Sequence, residues 1–323
     1  MKRRRLRSED YTVGWVCAVP IELTAAGEML DEEHGDVLYQ RYNGTNLYTL
    51  GRIHEHNVVI ACLPAGQMGI SSAATVATQM KSEFTSIRFS LLVGIGGGVP
   101  TNETDIRLGD VVISQPEKQH GGVIQYDSGK ATPDGFMQTG FLNTPPTILL
   151  NALQKLKARH IRGQTGIAES LSPLNRLPRF KLENAGPDIL FEPTCDHHQG
   201  DACGPCSKDR QIKRHQRENQ NIVIHYGSIA SGNQVMRDGV TRDNLSSKLG
   251  GVLCFEMEAA GLMNNFPCLV IRGICDYADS HKNELWQPYA AATAAACAKE
   301  VLSVIPTSDV TTIQAINNPT KLV

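Results

Sequence analysis

The segment Leu253–Met263, LCFEMEAAGLM, sets Glu256 and Glu258 on either side of a methionine among apolar and small residues. An unpaired carboxylate buried in such surroundings is costly or changes its protonation state, so these acids must hold something. Two further acids share the setting. Asp276 ends the apolar run VIRGIC, and Glu22 follows the first apolar run, YTVGWVCAVP. In open α/β sheets, ligands gather in the crevice beyond the strand ends. Carboxylates placed there can accept hydroxyl protons or move a proton during a reaction. Taken alone, Asp276 could equally cap a following helix; its company makes it a candidate for chemistry.

Two glycine clusters stand near these acids. GIGGG (Gly94 to Gly98) suggests a dinucleotide loop, but that loop must open a helix directly after its strand. Here the chain continues as VPTNETDIRLGD, with a proline and a turn, so the dinucleotide reading is rejected. Glycines at a strand end still let backbone approach a ligand closely, and AGQMG (Ala65 to Gly69) can do the same.

The elements that must position these residues follow from apolar patterning. Strands are expected at Tyr11–Pro20, Phe89–Val93, Val111–Ser114, Val123–Tyr126, Ile222–Ile229, Val252–Met257 and Leu269–Ile274, with a hairpin over Asn46–Ile53 and Val58–Leu63. Helices are expected over Ile21–Glu33, Ser71–Phe84, Pro146–His160, Glu258–Asn264 and Pro288–Ile305. The alternation predicts an α/β sandwich around a largely buried mixed sheet. We expect a basic leader over residues 1–10, one domain over 11–305, a polar insertion near 183–220, and a tail or linker over 306–323.

Bulk properties narrow the class. A net charge of −2 gives no field to attract nucleic acid or an anionic membrane, and no apolar run reaches the roughly 18–20 residues of a span. The leader MKRRRLRSED reads as a solvated tail, with nuclear import as the lesser reading. Six of the nine cysteines sit in apolar or small-residue segments, which fits reduced thiols in a cytoplasmic protein.

The pieces GWVCAVPIELTAA, AGQMG, LLVGIGGGV with IRLGDVVIS, SIASGNQVM, FEMEAAG and VIRGICDYAD occur in one order. In that order they resemble the nucleoside phosphorylase and nucleosidase superfamily of the purine and uridine phosphorylase type. Within it, they are most similar to domains at the head of fungal nucleotide-binding receptor-like proteins. The resemblance covers about residues 11 to 305 apart from the insertion. It implies a three-layer α/β/α sandwich with a mixed, partly barrel-like sheet, and a homodimer or higher oligomer.

By the same resemblance, Glu258 accepts both ribose hydroxyls and Met257 packs on the sugar; Gly66, Gly94 and Gly97, from the two glycine clusters, are the candidates for close backbone approach to the ligand. Glu256, pointing the other way on an alternating strand, is expected to meet a structural partner. Asp276 matches the acid that protonates purine N7, relieving charge on the departing base. Val235 stands where the family stacks a phenylalanine on the base, and Asn233 replaces an aspartate in that turn. Arg272 is assigned either to the Asp276 region or to a structural ion pair.

Phosphorylases of this family hold phosphate with an arginine and a serine where this chain has Leu92 and Ile95, which bind no anion. The arginine expected after the first strand is also missing. Glu22 stands there instead, aligned with the glutamate that activates water in the nucleosidases. The resemblance therefore implies a purine nucleoside hydrolase of the adenosine or inosine type with no cofactor in catalysis. A purine nucleoside phosphorylase, and a nucleotide-sensing or effector module of a larger receptor-like protein, stay open as alternatives.

The insertion contains CDHHQGDACGPC. Cys203 and Cys206 form a C-x-x-C pair, and with Cys195 and His197 (or its neighbour His198) they could hold a structural zinc. A loop with free thiols is the other reading.

Overall fold

The computed structural model describes residues 3–38, 44–133, 135–197, 206, 208–217 and 222–312. Strand β1 (Val13–Cys17) leads into α1 (Pro20–Glu28), and β2 (Glu32–Glu33) edges the hairpin of β3 (Tyr48–Ile53) and β4 (His56–Cys62). Helix α2 (Ile70–Glu83) precedes β5 (Phe89–Gly98), followed by β6 (Val111–Ser114), β7 (Val123–Gln125) and a ribbon of β8 (Gly129–Thr132) and β9 (Gly135–Gln138). Next come α3 (Thr147–Ile161), α4 (Ile167–Leu171), β10 (Ile224–Gly227), β11 (Ile229–Ser231), α5 (Gly239–Lys248) and β12 (Cys254–Glu256). Strand β13 (Cys268–Asp276), α6 (Gln287–Ser303) and α7 (Thr307–Thr312) end the described chain.

The main sheet runs β10-β6-β13-β5-β1-β4-β3-β2. Strands β4, β1, β5 and β13 are parallel, whereas β6 lies antiparallel to β13. Beyond that path, Gly97 and Gly98 of β5 pair antiparallel with β12, which lies parallel to β11, itself parallel to β7. The sheet thus curls at the end of β5, giving the mixed, partly barrel-like form expected.

Alternation sorts the two faces. Val13, Trp15, Leu91, Val93, Leu269 and Ile271 join Ala25 and Ala26 of α1, Leu149 and Leu153 of α3 and the alanines of α6 in one core. Val16, Leu92 and Val270 face the other way, onto Ala73, Val76 and Met80 of α2. These are the three layers. Helix α6 can lie directly on β13 because Gly273 has no Cβ; one there would overlap the Ala290 carbonyl.

Several expectations need correction. The apolar run Phe89–Val93 is only half a strand, since β5 continues through the glycines to Gly98. A Cβ at Gly97 would stand 2.7 Å from Asp276 Oδ1 and 2.8 Å from the Ala278 Cβ, so the side-chain-free strand admits the tip of β13. Glu258–Asn264 is not an α-helix but a 3₁₀ turn at Ala259–Gly261 followed by turns. A Cβ on Gly261 would overlap the Ile70 carbonyl, so α2 fixes this segment from one side, and Pro267 disfavours helix before it. Helix α5 and the β8–β9 ribbon carried no clear periodicity.

The basic leader is not a free tail from Arg3 onward: Arg3 pairs with Glu33 at 2.7 Å, and the Arg5 guanidinium donates to the Asp36 and Val37 carbonyls. Parts of the insertion are docked as well. Arg214 donates to the Ile106 carbonyl at 3.2 Å, and Arg217 pairs with the buried Asp110 at 2.7 Å. Cys203 and His198 lie outside the described residues, as does the tail from residue 313. No helix among the described residues is long and apolar enough to cross a membrane.

Candidate active site

A cavity of about 200 Å³ opens where α1 begins and where β5, β12 and β13 end. Glu22, Glu258 and Asp276, distant in sequence, all line it, together with Met257, Val235 and Gly97. Gly66, Gly94 and Asn233 are not on its wall. Asn233 ties the turn after β11 to its neighbours, accepting from Ile70 N at 3.2 Å and donating its own N–H to Asp127 at 2.7 Å. Gly94 acts from behind: a Cβ there would collide with the Glu22 carboxylate and the Arg272 guanidinium.

Glu22 sits in the first turn of α1 and folds its carboxylate back over the helix start. Oε2 accepts from Ala18 N at 2.6 Å and Val19 N at 3.1 Å, and Oε1 accepts from Ile95 N at 2.8 Å. An acid is favoured there because the helix start presents unpaired N–H groups and partial positive charge. Burial nevertheless raises the Glu22 pKa, against the lowering effects of Arg272 and these N–H groups.

The opening pair of acids turns on Arg272, which is 1% exposed. Its Nη2 forms a short bond to Glu256 Oε2 and donates to Glu258 Oε2 at 3.2 Å, while Nη1 donates to the Ile95 carbonyl at 3.2 Å. Glu256 also accepts the backbone N–H groups of Glu258 and Ala259 at 3.1 Å, holding the turn that presents Glu258. Glu256 is thus the acid with a structural partner, and Arg272 serves the glutamates rather than Asp276. Burial works against the Arg272 charge, but Glu256, Glu258 and Glu22 raise its pKa further than burial lowers it.

Glu258 Oε1 accepts from Gly69 N at 3.3 Å, which joins the AGQMG turn to the site. Burial pushes the Glu258 pKa up to about 7, opposed by Arg272 and reinforced by Glu256 and Glu22. A raised acid contributes stability that is lost as pH rises from the ordinary carboxylate range toward 7, because the unfolded chain ionises first. The urea midpoint of the wild type should therefore fall between pH 5 and 7 by more than that of Glu258→Gln. Parallel midpoints for the two proteins would remove the raised acid from the account.

Strand β13 carries a register shift between Ile274 and Asp276, and such irregularities re-aim side chains. Asp276 accepts from Ala278 N at 2.8 Å, from the Cys275 thiol at 3.1 Å and from Lys282 Nζ at 2.7 Å. Asp276 raises the Lys282 pKa, overcoming the burial that would lower it. Sequence reasoning missed Lys282: it lies in the turn DYADSHK, where no periodicity shows which way a side chain points. It also missed Met68, Met236 and Phe255, the other large apolar parts of the wall.

The chain is 48% identical over 308 residues to a nucleotide-binding leucine-rich repeat (NLR)-like protein of Hyaloscypha variabilis, an overlap of 94% of this chain and 30% of that one. This chain therefore spans less than a third of that relative. It is 23% identical over 284 residues to the ATP nucleosidase Cap17 of Escherichia coli, covering 86% of this chain and 48% of that protein. Among solved structures, the 5′-methylthioadenosine/S-adenosylhomocysteine nucleosidase of Neisseria meningitidis in complex with methylthio-immucillin-A superposes with a TM-score of 0.58 at 17% identity. That match covers 90% of this chain and 98% of the other and establishes a common fold. The phosphorylase superfamily pattern matches residues 12–305, a span holding every strand and the whole cavity wall, and the chain belongs to that superfamily.

Proposed function

We propose that the protein hydrolyses the N-glycosidic bond of purine nucleosides of the adenosine or inosine type. The observation that carries this reading is the convergence of Glu22, Glu258 and Asp276 on one cavity. Glu258 receives the ribose hydroxyls, and Met257 packs against the sugar. Glu22 takes a proton from water as the water oxygen attacks C1′. The C1′–N9 bond breaks, its electron pair leaves with the base, and Asp276, which takes up a proton as the nucleoside binds, gives it to N7. Lys282, 2.7 Å away, then stabilises the carboxylate left behind.

Water is favoured over phosphate because the two cations on the wall are committed: Arg272 to Glu256 and Glu258, and Lys282 to Asp276. Ile95, where the resemblance predicts a serine, gives its N–H to Glu22. The names of the bacterial relatives, both nucleosidases, support hydrolysis. A second reading keeps the same bond but takes a 5′-phosphorylated substrate. It rests on the neighbouring cleft of about 840 Å³, which shares Lys282 with the cavity and adds Arg179 and Arg237.

The test is product analysis with adenosine, inosine and ATP, with and without phosphate. Free sugar and base should form equally fast without phosphate. Ribose 1-phosphate appearing only with phosphate would make the protein a phosphorylase, and faster cleavage of ATP than of adenosine would select the second reading. In Glu22→Gln, kcat should fall about 10²-fold or more as the general base is lost. Retention of wild-type kcat would exclude Glu22 as the base.

A further inference from the structure

We propose that His197, Cys206 and His281 form a zinc-type metal site that fastens the inserted segment to the loop carrying Asp276 and Lys282. Their ligand atoms all lie within 4.8 Å of one another. His197 Nδ1 is 3.3 Å from Cys206 Sγ. Two imidazoles and a thiolate form a donor set suited to zinc. Tetrahedral zinc at its usual bond lengths would place these atoms about 3.5 Å apart, so the His197–Cys206 pair is already close to that spacing and His281 would close up on it.

His281 supplies the independent observation. It is 8% exposed, yet neither ring nitrogen has a hydrogen-bond partner among the described residues. Leaving a buried polar group unsatisfied is costly, and a metal ligated by one nitrogen would remove part of that cost. The ring is already oriented: it stacks on Phe191, with centroids 3.9 Å apart and planes 11° apart, and meets the His197 ring edge-on at 5.6 Å. The backbone fixes the same junction, because His197 N donates to Ser280 Oγ at 2.9 Å.

The ligand set differs from one drawn wholly from CDHHQGDACGPC. Cys195, though nearby in sequence, is outside the triad, Cys203 lies outside the described residues, and His281 comes from beyond the insertion. A metal held this way is a clasp between two segments. Since His281 immediately precedes Lys282, the clasp would fix the start of the stretch that brings Lys282 to Asp276.

The full chain, purified without chelator, should contain close to one zinc per molecule by mass spectrometry. Zinc content should fall more than about tenfold in His281→Ala and in Cys206→Ser, and remain unchanged in Cys62→Ser. Zinc should raise the Tm of chelator-stripped wild type, but not of the two ligand variants, because only a folded site binds it. Cobalt added to the stripped wild type should show a thiolate-to-metal charge-transfer band, a readout that needs no variant to fold. Absence of both zinc uptake and the cobalt band in the wild type would overturn the proposal. Full zinc content in both His281→Ala and Cys206→Ser would overturn it equally, by placing the ligands elsewhere.

Discussion

In Asp276→Asn, kcat for inosine is expected to drop by about 10²–10⁴-fold with a much smaller change in KM. Asparagine is nearly the same size, and its carbonyl can keep the 2.8 Å bond from Ala278 N beside Gly97, so the cavity keeps its shape. What is lost is an acid at the base, together with the charge that Lys282 faces at 2.7 Å. A hypoxanthine leaving as an anion retains charge that N7 protonation would neutralise, and the barrier rises accordingly.

The assignment is sharpened by a substrate that needs no acid. A nitrophenyl riboside expels a stable phenolate, so Asp276→Asn should cleave it at a rate close to wild type while Glu22→Gln remains impaired. Equal losses on both substrates would show that Asp276 orders the site rather than protonating the base. A urea midpoint close to wild type would establish that the variant is folded.

The acids of this site were legible because charge is conspicuous in apolar sequence. Glu22, Glu258 and Asp276 each follow a strand-forming run, and the ends of parallel strands are where a sheet leaves room for a ligand. Their detailed surroundings were less so. Arg272 was visible as a charge inside VIRGIC, but period-two alternation puts residues 272 and 276 on one face and suggests a shared role. The register shift after Ile274 breaks that relation, and Arg272 turns to the glutamates beside β12 instead.

Lys282 and His281 lie in a turn, where direction follows from tertiary packing alone. His197, whose ring meets that of His281 edge-on, is 84 residues away, in a segment without periodicity. The glycines of GIGGG were recognised as permitting close approach, but their place inside β5 emerges only from pairing with β12. Glycine lacks the side chain that makes a strand readable. Glu258–Asn264 shows the reverse error: a helix-like composition was overridden by Glu256 bonds and the close contact of Gly261 with α2.

Arg272→Met is expected to lower stability by about 3–5 kcal/mol, the usual range for removing one partner of a buried ion pair. Methionine can fill much of the same volume, so the loss is mainly electrostatic. Glu256, Glu258 and Glu22 all raise the Arg272 pKa, and Arg272 in turn lowers those of Glu22 and Glu258. Without the guanidinium, buried carboxylates must either keep uncompensated charge or bind protons. Proton binding becomes harder as pH rises, so the deficit in urea should be larger at pH 8 than at pH 6. Adding Glu256→Gln removes the acid in closest contact with the arginine, and the double variant should recover part of the loss, giving a measurable coupling energy. A midpoint within about 0.5 kcal/mol of wild type at both pH values would mean that Arg272 does not compensate the acids, and it would remove the physical basis for Glu258 as an ordered acceptor of the ribose hydroxyls.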